Sequence, residues 1–254
     1  MLFYILYLHK SCILILSIET STKNCSVSLS DSGKLIDVIE QNNDNYSHAE
    51  LLHVFIDKIL EKNNIQKNQL NAVAISKGPG SYTGLRIGVS AAKGLCFALD
   101  IPLIAIDTLK ILASQIQVNN ALIVPMIDAR RLEVYTCIFD KNLKLIEGVD
   151  AKIINQDSFK NYLENYQLYF LGDGAAKCKP ILQHSNANFI EDEYPSAKNM
   201  GMFAFEKYKK YEFEDVAYFE PYYLKDFIAI PEKNKLFFIH YNSVRIRNFY
   251  TCFI

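Results

Sequence analysis

The chain has 254 residues, half of them hydrophobic, with 27 Lys plus Arg against 28 Asp plus Glu and a net charge of −1. That length holds two compact domains or one large one, each with a sizeable core. Balanced charge argues against a protein whose whole surface grips a nucleic-acid backbone, while leaving room for a local basic patch.

The first apolar run, MLFYILYL, ends at His9 and Lys10, and the next, Cys12 to Ile18, is only strand length. A membrane-spanning helix needs about 20 apolar residues. A secretory leader would show basic residues ahead of its apolar stretch and small residues after it, and neither is seen. Residues 1–11 are therefore read as an extension, with a weak surface tether as the alternative. Ile13–Ile18 is a continuous aliphatic run that suits a strand buried on both faces. NCSVSLS (24–30) alternates apolar residues with serines, the period of a half-buried strand, and Leu35 to Glu40 is a third strand after the DSGK turn. In YSHAELLHVFIDKILEKNNI, Ser47 is a plausible N-cap with Glu50 completing a capping box. Leu51, Leu52, Phe55, Ile56, Ile59 and Leu60 recur at helical spacing over an unusually wide face. Ala72 to Ser76 is a buried strand, Thr83 to Leu99 a helix, and Leu103 to Ile106 a strand. The order is βββαβαβ.

The order then starts again. Ala121–Ile127 and Glu133–Phe139 are strands joined by DARRL, and Leu143 to Gly148 is a third. Ser158 to Tyr166 is a helix, Tyr169–Leu171 a strand, GDGAAKCKPIL a glycine turn entering a short helix, Phe189–Ile190 a strand, and Ser196 to Tyr211 a final helix. The expected fold is α/β, two tandem βββαβαβ domains of the actin-like class. Its divisions are an N-terminal extension (1–11), a first domain (12–107), a second, smaller domain (108–229) and a C-terminal tail (230–254) that is aromatic, locally basic and unassigned.

Between strand and helix lies KGPGSYTG. It is not a P-loop, because counting five on from Gly78 gives Thr83 rather than glycine. It misses the dinucleotide fingerprint, and Ser81 lacks the flanking glycines of a nucleophile elbow. Its backbone amides and the Ser81 and Thr83 hydroxyls still suit an anion. Glu19, at the end of the first strand, stands where actin-like folds carry a metal-bound-nucleotide Asp. Glu19, Gly78, Gly80 and Ser81 thus form a nucleotide or phosphate candidate set, with a turn-stabilising acid and a helix-capping turn as equal readings. Gly84, Gly88 and Ala92 fall four apart with Ala91, Gly94 and Ala98 nearby. A glycine inside a helix costs about 1 kcal/mol relative to alanine, so close backbone approach must offset it. The approaching element is either the domain's own sheet or another subunit, and the wide face of the preceding helix favours a subunit. The candidate interface is Leu52, Phe55, Ile56 and Ile59 with Gly84, Gly88, Ala91 and Ala92.

His48 and His53 are five apart, about 140° around a helix, which is not zinc spacing. His48 is read as a surface or interface residue. Asp128 is expected to hold the DARRL hairpin through Arg130 or Arg131. The six cysteines are scattered without CxxC spacing, as buried free thiols of a reducing compartment are, and so point to the cytoplasm.

ILSIETSTKNCSVSL, SHAELL, KGPGSYTGLRIGVSAAKGL and DARRLEVY, in that order, resemble the TsaB (YeaZ) family over about Ile13 to Phe227, EPYYLKD included. The resemblance implies an ASKHA, ribonuclease H-like fold and a non-catalytic subunit of the complex that forms N6-threonylcarbamoyladenosine in tRNA beside the anticodon. It implies pairing with the paralogue TsaD through the helices at Ser47–Leu60 and Thr83–Leu99, and recruitment of the ATPase TsaE, with a homodimer as a further arrangement. It implies no cofactor on this chain, ATP and a metal ion being handled by TsaE and TsaD, no membrane, and tRNA met through the complex. The alternatives are a stand-alone actin-like ATPase or kinase, and a glycoprotease-like peptidase, for which Ser81 has no recognisable base.

Overall fold

A computed structural model describes residues 12–42 and 48–225. The Ser47 cap, the N-terminal extension and the 230–254 tail lie outside the described residues. The first lobe is β1 (Leu14–Glu19), β2 (Asn24–Asp31), β3 (Lys34–Asn42), α1 (His48–Lys62), β4 (Ala72–Ser76), α2 (Tyr82–Leu99) and β5 (Leu103–Ile106). A connecting helix α3 (Thr108–Ala113) leads into β6 (Ala121–Asp128), β7 (Glu133–Phe139), β8 (Leu145–Ile153), α4 (Lys160–Leu163), β9 (Gln167–Leu171), α5 (Ala175–Cys178) and β10 (Ala187–Ile190), and α6 (Gly201–Lys209) follows. The sheets are ordered β3-β2-β1-β4-β5 and β10-β9-β6-β7-β8, one connectivity used twice. In each, the first three strands form an antiparallel meander and the later two join in parallel. The repeated βββαβαβ pattern is therefore the architecture.

Strand alternation sends side chains to opposite faces. In β1, Leu16 and Ile18 join the core beneath α1 and α2, while Ile15 joins a second core on the other face. Fully burying each such aliphatic contributes about 1.5–3 kcal/mol. The serines of β2 do not face water, as a half-buried strand would have them: Ser26, Ser28 and Ser30 are completely buried. Ser26 Oγ accepts from the Ala197 amide at 2.9 Å, Ser28 Oγ donates to the Ala197 carbonyl at 2.7 Å, and Asn24 Nδ2 donates to the Pro195 carbonyl at 3.1 Å. A polar stripe is tolerated in the interior because a neighbouring backbone segment saturates it.

That segment belongs to the second half of the sequence. The expected single helix from Ser196 is a 3-10 turn at Ala197–Asn199 followed by α6, and α6 packs on the first sheet, with Met200 and Ala204 against Ile15, Ala72, Ala74, Ile104 and Ile106. The packing boundary thus departs from a cut at residue 108. After α6 the chain forms a strap: the Glu214 amide donates to the Leu103 carbonyl on the edge of β5, Lys93 Nζ donates to the Ala217 and Phe219 carbonyls, and the Tyr222 amide donates to the Lys77 carbonyl at 2.7 Å. The strap ends at the second lobe, where Lys225 pairs with Glu133. Among the described residues no helix is long and apolar enough to cross a membrane.

Candidate functional site: the face of α1 and α2 and the cleft between the lobes

Ser81 caps α2, its Oγ accepting from the Gly84 amide at 3.3 Å. Behind it, the loop after β1 presses against the helix. Thr20 Oγ1 donates to the Gly84 carbonyl at 2.8 Å, and a Cβ on Gly84 or Gly88 would collide with Thr20, that on Gly88 meeting Ile75 as well. The small-residue stripe is thus filled by the chain itself.

This corrects the interface set. Gly84, Gly88, Ala91 and Ala92 are buried on α2, and Leu52, Phe55, Ile56 and Ile59 are buried on α1, all in contact with their own sheet. The apolar period of α1 is wide because the helix lies over both β2 and β3 and against α2. What the two helices present outward is a groove of about 550 Å³ lined by Ala49 and His53 of α1 and by Arg86, Ile87, Ser90, Ala91, Gly94 and Leu95 of α2, so that of the expected interface residues Ala91 alone borders it. Nothing lies within 4 Å of where a Cβ on Gly94 would be, and Phe97, one turn on, is 85% exposed. The sequence carried this signal in the i, i+4 pairs 49/53, at the margin of the apolar face of α1, and 90/94, opposite the buried face of α2.

The second concavity, about 720 Å³, lies between the lobes. Of the nucleotide candidates, Gly80 and Ser81 line it and Glu19 and Gly78 do not. Glu19 is completely buried, and its Oε1 accepts from the Ser21 amide at 2.5 Å, so it stabilises the turn. Burial holds its carboxyl above the usual range, opposed by hydrogen bonds from Ser21 and Ser76. Gly78, at φ +111°, is a backbone contact for the strap, since a side chain there would strike the Tyr222 carbonyl. His48 is buried rather than superficial, its Nε2 2.8 Å from the Thr22 carbonyl, and burial lowers its pKa.

Across the cleft stands the β6–β7 hairpin. Asp128 holds it, but through the Arg130 backbone amide and the Lys177 ammonium, not through either guanidinium. Arg130 and Arg131, both exposed at positive φ, point out of this frame as cleft-lining residues that sequence reasoning had assigned to scaffolding. Tyr82 and Tyr223, with ring centroids 4.9 Å apart, form an aromatic wall that spacing could not reveal, because 141 positions of chain separate them.

The buried cysteine thiols are poor nucleophiles. Burial pushes the Cys25 and Cys96 thiols up to about 12, Cys178 up to about 11, and Cys137 further still. Nucleophilic thiolates need the opposite shift. Ser81 Oγ is engaged as a cap.

A family model described as TsaD, tRNA N6-adenosine threonylcarbamoyltransferase, matches residues 43–232. A Haemophilus influenzae tRNA threonylcarbamoyladenosine biosynthesis protein TsaB is 29% identical over 84% of this chain and 93% of its own length. The protein of that name from Buchnera aphidicola subsp. Schizaphis graminum is 31% identical over 78% of this chain and 95% of its own. The solved structure of YeaZ from Pseudomonas aeruginosa superposes with a TM-score of 0.73 at 24% identity, covering 84% of this chain and all of that one. That likeness is one of fold.

Proposed function

The chain belongs to the TsaB (YeaZ) family, and from that premise we propose that it serves the formation of N6-threonylcarbamoyladenosine in tRNA as a non-catalytic scaffold and activator in the cytoplasm. It pairs with a TsaD-type paralogue, the pair recruits the TsaE ATPase, and the chemistry belongs to those partners, which bring the ATP site and the metal. This chain's own residues organise the docking face.

The observation that carries the reading is the outward groove of α1 and α2. Ala49, Ser90 and Gly94 keep its floor low, Ile87 and Leu95 supply apolar walls, and an empty volume stands over Gly94. Small residues between apolar ridges let a partner helix approach closely. The strap supports the same reading by bracing α2 from behind through Lys93. Raised thiol pKa values and the capped Ser81 support a chain that does not attack substrate.

The test is co-purification of a TsaD-type partner with wild type and Gly94→Leu. Leucine is a better helix former than glycine and meets open space, so the fold is retained by circular dichroism while association falls by tenfold or more. Unchanged association by a folded Gly94→Leu protein would overturn the docking face. Gly88→Leu cannot serve, because its side chain would displace Thr20 inside the lobe.

A further inference from the structure

We propose that the mouth of the cleft between the lobes is a contact site for a nucleoside phosphate of single-stranded RNA, so that this chain touches the RNA substrate of the assembly directly. The inference rests on the proposed role in tRNA modification and adds a second surface, which adjoins the α1–α2 groove at Ile87.

Three features converge there. The first is charge. Each lining carboxylate is already engaged within the chain: Asp128 with Lys177, Glu133 with Lys225, and Asp173 with the Asp128 amide. Arg130 and Arg131 line the same cleft and are exposed, and their guanidinium groups have no hydrogen-bond or ion-pair partner among the described residues. Each is held at positive φ, 70° and 53°, where a long side chain is uncommon. Planar guanidinium forks match phosphate oxygens.

The second feature is a set of donors on the opposite wall. α2 is 18 residues long and its first turn opens on the cleft. Gly84 and Leu85 donate to Ser81, whereas the amide of Thr83 has no acceptor within the helix. Beside them Thr22, 4% exposed and lining the cleft, has a hydroxyl with no partner among the described residues. An anion at this helix start satisfies both kinds of donor.

The third is the tyrosine wall. Tyr82 and Tyr223 line the cleft, and the Arg86 guanidinium lies 5.4 Å from the Tyr82 ring centroid. Aromatic faces with arginine beside them stack unpaired bases without regard to sequence. The balanced net charge of −1 is compatible with this, because the basic character is local.

The experiment uses the full chain and a fluorescein-labelled, unmodified anticodon stem-loop RNA, titrated by anisotropy over a series of salt concentrations. The Arg130→Gly/Arg131→Gly variant removes both charges and suits the left-handed backbone, so its melting temperature should not fall. Its affinity drops by tenfold or more, and the slope of log K against log salt becomes shallower by about 1.4, two single-strand phosphate contacts at about 0.7 each. Tyr82→Leu weakens binding by about tenfold at unchanged slope. Equal affinity and slope in the arginine variant would overturn the site, as would saturable binding of AMP with no binding of the RNA. The two readings fail separately. A reconstituted complex that modifies tRNA while the variant binds RNA as wild type does removes only this inference. A complex in which the wild-type chain is dispensable removes the proposed function beneath it.

Discussion

Glu19 lies on β1 between Ser26 of β2 and the end of β4, away from water, and donates nothing to the cleft it was read as serving. Its spare oxygen, Oε2, has no hydrogen-bond partner among the described residues. A carboxyl in that setting prefers its neutral form, because burial penalises the charge more than the Ser21 and Ser76 hydrogen bonds relieve it. The sign follows. The folded chain keeps a proton that the unfolded chain releases above about pH 4.5, so this group's contribution to stability is complete below that pH and is lost as pH rises through the elevated folded value. Glu19→Gln keeps an oxygen for the Ser21 amide and cannot ionise. In urea titrations it should be more stable than wild type at about pH 8, with the difference closing as the pH falls toward 5. A variant less stable than wild type at both ends would show that the carboxylate charge is needed. The acid's presence at the strand end was legible in the sequence; its burial was not, because burial depends on Ser76 at the end of β4, far away in the chain.

At the scale of the element, α2 shows what helical periodicity decides and what it leaves open. The i, i+4 spacing correctly placed Gly84, Gly88 and Ala92 on one face, since 3.6 residues complete a turn. It could not say whether that face meets the chain's own sheet or another protein, because small residues suit both. The structure resolves the matter through Thr20, whose hydroxyl needs Gly84's carbonyl and Gly88's missing side chain at once. Gly94 stands about 120° around the helix from Gly88 and meets nothing. A paired substitution separates the two roles. Gly88→Ala should destabilise by about 1–3 kcal/mol through overpacking against Thr20 and Ile75. Gly94→Ala should stabilise by up to about 1 kcal/mol, having only backbone entropy to change. Denaturant midpoints with unchanged slopes read both, and equal effects at the two positions would contradict the packing described. The same limit of local pattern explains β2. Its alternation was visible, but the partner that buries Ser26 and Ser28 lies 169 to 171 residues further along the chain.

Over the whole molecule, two copies of one topology are joined in a way that neither copy contains. The repeat of βββαβαβ was readable because each sheet is built from local segments of strand and helix length, and those lengths are local properties. The exchange of α6 was not, because a helix that ends the second half looks in sequence like that half's own last element. Structurally it seals the first sheet: Ile15, Ala72, Ala74, Ile104 and Ile106 share a core with Ala197, Met200 and Ala204, and without those three only Ile111 of α3 among the buried residues of that core would cover them. The strap then crosses to the second lobe at Lys225 and Glu133. The first lobe is therefore completed by residues that follow the second, and the two should unfold together. Calorimetry of the full chain should give one transition with equal calorimetric and van't Hoff enthalpies. A fragment ending at residue 113 retains all of β1 to α3 yet leaves one face of its sheet open, and an uncovered apolar sheet face of that kind associates. It should bind a hydrophobic dye and lack a cooperative melt. A fragment that melts sharply and alone would mean that the C-terminal helix is an ornament on a self-sufficient lobe, and the two-lobed chain would then have to be treated as two separable domains.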